Sequence, residues 1–179
     1  MTQSHRHTGV PEDGPRIEAK DLARLNHQVF YPAGLFEEAN ANVTLQNHYS
    51  YCAAVFTDAA TGIASITFAI PEYKIRGISR IKIFFYNDNN NSDLSLKFDF
   101  SRGREDEALA TDSLNYATYT TNATTNSIDA IEIPKSAYNS LFPIAPGDLI
   151  GLKLDRAGGA AGDTYGNDWA VLGLSVEFG

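Results

Sequence analysis

The residues best suited to chemistry lie near the two ends of this chain. His5 and His7 are separated by one residue. In an extended segment such residues point to the same side, so one chain offers two imidazoles in one direction. Three chains meeting on a threefold axis would bring their imidazoles together as ligands for an octahedral divalent transition metal such as iron. Solvated histidines, or histidines that meet a partner protein, are the competing reading. Toward the C-terminus, Tyr165 and Trp169 border a Gly-rich loop. Rings carried on loops of a rigid scaffold can stack on a sugar, and packing of Trp169 into a core competes with that role. Asp88 and Asp93 in one loop, and Asp163, Asn167 and Asp168 in another, offer oxygen ligands to calcium. Neither loop has a defined calcium-binding spacing, and ordinary polar turns account for both.

Catalytic patterns are absent. The chain has no Gly-x-Ser-x-Gly turn, no His-Glu-x-x-His and no phosphate-binding Gly loop with Lys. Cys52 with His27 or His48 would make a thiol–imidazole pair, but no spacing marks one. Glu105 and Glu107 sit in a charged run, without the apolar pocket that would separate their pKa values. These residues describe a chain that is not an enzyme.

Composition bounds the setting. Of 179 residues, 14 are Lys or Arg and 22 are Asp or Glu, a formal charge of −8. The basic residues are scattered, and Arg102 and Arg104 are followed at once by Glu105, Asp106 and Glu107, so a nucleic-acid partner is excluded. No run approaches the ~20 apolar residues of a membrane span, and the N-terminus lacks an apolar signal core. Neither membrane insertion nor export by a cleaved signal is expected. The single cysteine, Cys52, rules out an intrachain disulfide, and its apolar neighbours predict a buried small hydrophobe.

The elements that must position these residues fall into two unequal parts. Residues 1–30 read as an extended arm punctuated by Pro11, Gly14 and Pro15, with a short helix over Glu18–Leu25. Residues 31–48 read as a connector, with a turn at Tyr31–Gly34 and an early strand near Val43–Leu45. Residues 49–179 form the body, where apolar residues alternate with polar ones. Strands are predicted at Tyr49–Phe56, Ile63–Ile70, Ile78–Tyr86, Leu94–Phe100, Leu114–Thr121, Ser127–Ile133, Ile150–Leu154 and Trp169–Phe178. In the last, Leu172, Leu174, Val176 and Phe178 are expected to face inward. Eight short strands with turn signals between them and no long helix predict an all-β antiparallel sandwich, an eight-stranded jelly roll.

The body resembles the small β-sandwich structural proteins of tailed bacteriophages, which serve as tail-fibre, tip or capsid-surface components. The matching segments are Ile66–Pro71, Ile81–Tyr86, Pro146–Ile150 leading into Leu152–Arg156, and Trp169–Phe178. The arm resembles phage segments too, through Ser4-His5-Arg6-His7-Thr8-Gly9 and Asp13-Gly14-Pro15-Arg16-Ile17. The resemblance implies a virion structural protein that assembles with its own copies as a homotrimer, and with other virion proteins. It also implies an iron site shared through His5 and His7, and an assembly arm built from Val10, Pro11, Asp13, Gly14, Pro15 and Ile17. The protein is then expected in the virion, after synthesis in the host cytoplasm. A capsid decoration protein, or a carbohydrate-binding module that recognises host surface glycan through Tyr165 and Trp169, is the alternative.

Overall fold

The computed structural model describes residues 27–71, 77–89, 91–141 and 143–179. The expected ligands His5 and His7, the arm residues Val10, Pro11, Asp13, Gly14, Pro15 and Ile17, and the helix expected over 18–25 lie outside the described residues.

Alternating burial builds the strands. In β5 (Thr61–Ala69), Ala64, Ile66 and Phe68 are buried while their neighbours face out. The same period runs through β6 (Ile78–Asn87), β7 (Asp93–Gly103) and β10 (Leu149–Ala157). The remaining strands are β1 (His27–Pro32), β2 (Glu37–Glu38), β3 (Val43–His48), β4 (Tyr51–Phe56), β8 (Ala110–Thr120), β9 (Ser127–Ile133) and β11 (Trp169–Phe178).

They form two antiparallel sheets. Sheet A has the order β3-β4-β11-β6-β9, with β1 also paired to β11, and sheet B has the order β2-β5-β10-β7-β8. Stripped of β1 to β3, the order β4-β11-β6-β9 faces β5-β10-β7-β8, the arrangement of an eight-stranded jelly roll. The expected sandwich is therefore present, with three further strands along its edges. Sandwich strands begin at His27, inside the expected arm, and β2 and β3 occupy the stretch expected as a connector. The early strand expected near Val43–Leu45 is present as β3, while β2 escapes a periodicity reading because it has two residues.

The core lies between the sheets. Leu96, Phe98, Phe100, Leu152 and Leu154 from sheet B meet Phe56, Ile83, Phe85, Trp169 and Leu174 from sheet A. Each fully buried side chain of this size contributes about 1.5–3 kcal/mol of transfer free energy. A register shift between Val171 and Gly173 corrects one expectation. This bulge turns Leu172 away from the core into a second cluster with Ala53, Val55 and Ala170 on the outer face of sheet A. Gly173 is required there, since a Cβ would lie 2.5 Å from Phe30 Cζ. Cys52, expected to be buried, is exposed, because β1 takes over the edge of β11 where β4 leaves it. Among the described residues, no helix is long and apolar enough to cross a membrane.

Candidate functional site

Four neighbouring strands of sheet B build a cleft of about 650 Å³ on its outer face. Ile66, Phe100 and Leu152 turn into the core, so period-two alternation sends Ser65, Thr67, Asp99, Ser101, Gly151 and Lys153 outward. Register then sets them side by side. Gly151 pairs with both Thr67 and Ser101, and Lys153 pairs with both Ser65 and Asp99. Gly151 leaves the middle of the cleft open, and a Cβ there would meet Ser101 Oγ at 2.6 Å. Thr111 and Ser113 on β8 extend the hydroxyl-rich wall.

The cleft's charges are organised around Asp99. Its carboxylate lies 2.8 Å from Lys153 Nζ through Oδ2 and 3.2 Å from Lys97 Nζ through Oδ1. Partial burial works against the charged form, but hydrogen bonding and charge from Lys153 and then Lys97 outweigh it, and the Asp99 pKa falls below the ordinary 3.8. Asp99 in turn raises Lys153 through their hydrogen bond. Both groups are therefore charged at neutral pH. Beside them, a bulge in β8 between the partners of Leu96 and Phe98 swings Tyr116 across the face. Its hydroxyl donates to Asp155 Oδ1 at 2.6 Å, and burial followed by that bond raises its pKa above 10. An ionised carboxylate flanked by ammonium groups accepts hydrogen bonds and is a poor proton donor. Asp155 is engaged by the phenol, and Asp112, the second carboxylate lining the cleft, accepts from the Ser113 and Ser140 amides at 2.9 Å each. The arrangement suits holding a polyhydroxylated molecule.

The expected sugar-stacking rings lie elsewhere. Tyr165 and Trp169 are both fully buried. Trp169 packs against Phe56 and Phe85, with ring centroids 5.2 and 5.7 Å away. The Tyr165 hydroxyl donates to Asp88 Oδ1 at 2.7 Å. Neither ring has a face for a ligand, because the Gly-rich loop folds inward over the end of the sandwich.

A fully buried guanidinium explains that fold. Arg156 donates to both carboxylate oxygens of Asp163, at 3.0 and 2.9 Å, and to Asp58 Oδ1 at 3.2 Å. It also bonds the carbonyls of Tyr165 (2.6 Å) and Asn167 (2.9 Å), and its Cζ lies 5.5 Å from the centre of the Tyr165 ring. Asp163, considered above for calcium, already holds this cation. Asp168 accepts from the Asp58 amide at 3.0 Å, and Asp93 accepts from Thr120 at 2.6 Å. Among the described residues, no group of three or more His, Cys, Asp or Glu is placed to hold a metal ion. The His48 ring packs on Tyr49 and Tyr86, and Glu107 pairs with Arg104 at 2.8 Å.

The sequence reading missed the cleft. Its polar residues were legible as the outward half of alternating strands, but which strands lie side by side follows only from the sheet order.

No protein-family model matches this chain, and no curated protein sequence matches it. Among solved structures, a family 35 carbohydrate binding module from Clostridium thermocellum is similar over 84% of this chain and 97% of its own, at 13% identity and a TM-score of 0.46. The CBM22-2 xylan-binding domain from Paenibacillus barcinonensis is similar over 86% of this chain and 99% of its own, at 10% identity and a TM-score of 0.44. A third, TmCBM61 in complex with beta-1,4-galactotriose, covers 79% of this chain and 85% of its own, at 10% identity and a TM-score of 0.40. These are distant likenesses, and the functional reading rests on the cleft.

Proposed function

We propose that this chain is a non-catalytic glycan-binding module that holds a sugar chain in the cleft of sheet B. One observation carries the reading: an open cleft of about 650 Å³ lined by Ser and Thr hydroxyls around a central glycine and a Lys153–Asp99 pair. Sugar hydroxyls both donate and accept. A wall that offers hydroxyls, a carboxylate and an ammonium replaces their water in both directions. Strands, unlike loops, hold these groups in place before the ligand arrives.

Gly151→Val tests the reading. The added side chain fills the middle of the cleft without changing charge, and a β-branched residue suits a strand. Binding to immobilised neutral polysaccharides is expected to fall at least tenfold in a variant that still unfolds cooperatively, with a lower melting temperature because the Ser101 hydroxyl must turn aside from the new Cβ. Full binding by a folded Gly151→Val variant would overturn the proposal.

A second reading is favoured by the outer face of sheet A. There Phe30, Tyr51 and Ile128 are exposed around a groove of about 410 Å³ lined by no charged side chain. On a chain of charge −8, an uncharged face is where a second copy meets least repulsion. In this reading the protein is built into a larger particle, as the resemblance to phage structural proteins implies. Light scattering tests it: a trimer that Phe30→Glu dissociates supports assembly, and a strict monomer at high concentration counts against it.

A further inference from the structure

The outer face of sheet A also carries an aromatic cluster that the cleft does not explain. The β3–β4 turn brings His48 and Tyr49 across to Tyr86 on β6. The Tyr49 and Tyr86 ring centroids are 5.0 Å apart, and His48 lies 4.9 Å from the first and 4.7 Å from the second. Tyr86 Oη donates to Asn126 Oδ1 at 2.8 Å and lies 3.3 Å from Tyr49 Oη. Hydrogen bonding to Tyr49, with lesser effects of burial and of the Tyr49 and Asp88 charges, pushes Tyr86 up to about 12, so it stays a donor.

Tyr49 is an unexpected residue for its position. Its φ is 53°, in the left-handed region, where two-residue hairpin turns favour Gly or Asn. Asn126, at φ 54°, is a residue type that tolerates this conformation, whereas a bulky aromatic is an outlier there. Burial does not account for Tyr49, since it is 74% exposed. Backbone strain of this kind concentrates at ligand-holding sites. The turn holds a rigid aromatic face toward solvent, beside two hydroxyls and a carboxamide. An aromatic face can cover the apolar C–H side of a sugar ring while the polar groups bond its hydroxyls.

We propose that Tyr49, Tyr86 and Asn126 form a second binding site, for a ring of an uncharged polysaccharide, and that the protein cross-links two glycan chains. This rests on the glycan-binding reading of the cleft and extends it. The two sites lie on opposite outer faces of the sandwich, whose sheets are about 10 Å apart, so one short oligosaccharide does not occupy both. Two sites on one rigid body bridge two chains, and bridging raises avidity for a polymer above either site's affinity.

The test uses the full chain with xylohexaose, galactohexaose and cellohexaose in calorimetric titrations, and with the corresponding long polymers in precipitation assays. The expected result is two hexaoses bound per chain and precipitation of the polymer. Tyr49→Gly removes the ring and relieves the backbone. It is expected to reduce binding to one hexaose and to abolish precipitation, with a melting temperature equal to or above that of the parent. Tyr49→Asn, equally suited to that φ, should behave in the same way. Gly151→Val should also leave one site, now the one sensitive to Tyr49. Stoichiometry and precipitation unchanged in both Tyr49 variants would overturn this proposal alone. Binding lost in Tyr49→Gly but untouched by Gly151→Val would overturn the cleft and keep the aromatic site. No binding of any hexaose overturns both. Self-association that Tyr49→Gly abolishes, without sugar binding, assigns the cluster to a second copy and overturns the proposal.

Discussion

Two of the places where this molecule sets a carboxylate against cationic side chains differ in almost everything else. At the end of the sandwich, Asp163 is bound in both oxygens by Arg156, and both side chains are fully buried. In the cleft, Asp99 is shared by Lys97 and Lys153, and the Lys153 side chain is 42% exposed. In the first site the Arg156 donors are spent within the protein, on the Gly-rich loop and on Phe56 and Asp58. In the second, Lys153 keeps protons facing solvent, beside Ser and Thr hydroxyls. Similar charges thus do opposite jobs. Where the hydrogen-bonding capacity is consumed, the group shapes the fold; where it is left over in an open cleft, it is available to a ligand.

The comparison predicts its largest effect at the buried site. Asp163→Ala leaves the buried guanidinium with only the partly exposed Asp58 as its counter-charge and is expected to cost about 3 kcal/mol. Denaturant unfolding checks this, and a cost no larger than that of an Asp99 variant would break the comparison. Asp148 belongs with the buried class: Arg104 binds it at 2.6 and 2.8 Å and the Ala145 amide at 2.7 Å. Bonding by Arg104, then by the Ala145 amide, lowers its pKa below 3.8 despite burial. A depressed carboxylate adds stability that is complete above its unfolded pKa, here 3.8, and is lost as pH falls through the folded value. Asp148→Asn should therefore unfold more easily at pH 7, by about 1–3 kcal/mol. It should also show a flatter loss of stability below pH 3.8 than the parent, read by thermal melts across that range.

Smaller effects on the fold should accompany larger effects on binding at the cleft. Asp99→Asn keeps the shape and removes the charge, so stability should change by no more than about 1 kcal/mol. Affinity for polysaccharide should fall about tenfold, a loss of about 1.4 kcal/mol. Tyr116→Phe removes the phenol that donates to Asp155. It should change stability by about 1 kcal/mol or less while altering which sugars compete best, as read by competition binding.

Much of the architecture was legible from alternation, because side chains that must reach one core recur every second residue. Ser127–Ile133 and Trp169–Phe178 were read with the bounds they have. Tyr49 was read into β4, although the turn claims it, because β propensity carries no sign of a positive φ. The inward role given to Leu172 failed at a bulge that pairing with β6 imposes. Tyr165 and Trp169 drew attention as aromatic residues beside a glycine-rich loop. Their burial depends on Arg156, whose partners lie far away in sequence, at Phe56 and Asp58, as well as nearby.

By itself, then, the sequence determined an acidic all-β sandwich whose strands each have an apolar and a polar side. That information is local, held in residue type and a period of two. The tertiary structure alone decided which polar sides lie together. Ser65, Asp99, Ser101 and Lys153 come from three strands that are neighbours only through the crossovers of the jelly roll. A cleft is a property of sheet order and register, and these are set by long-range pairing that no single stretch of chain contains.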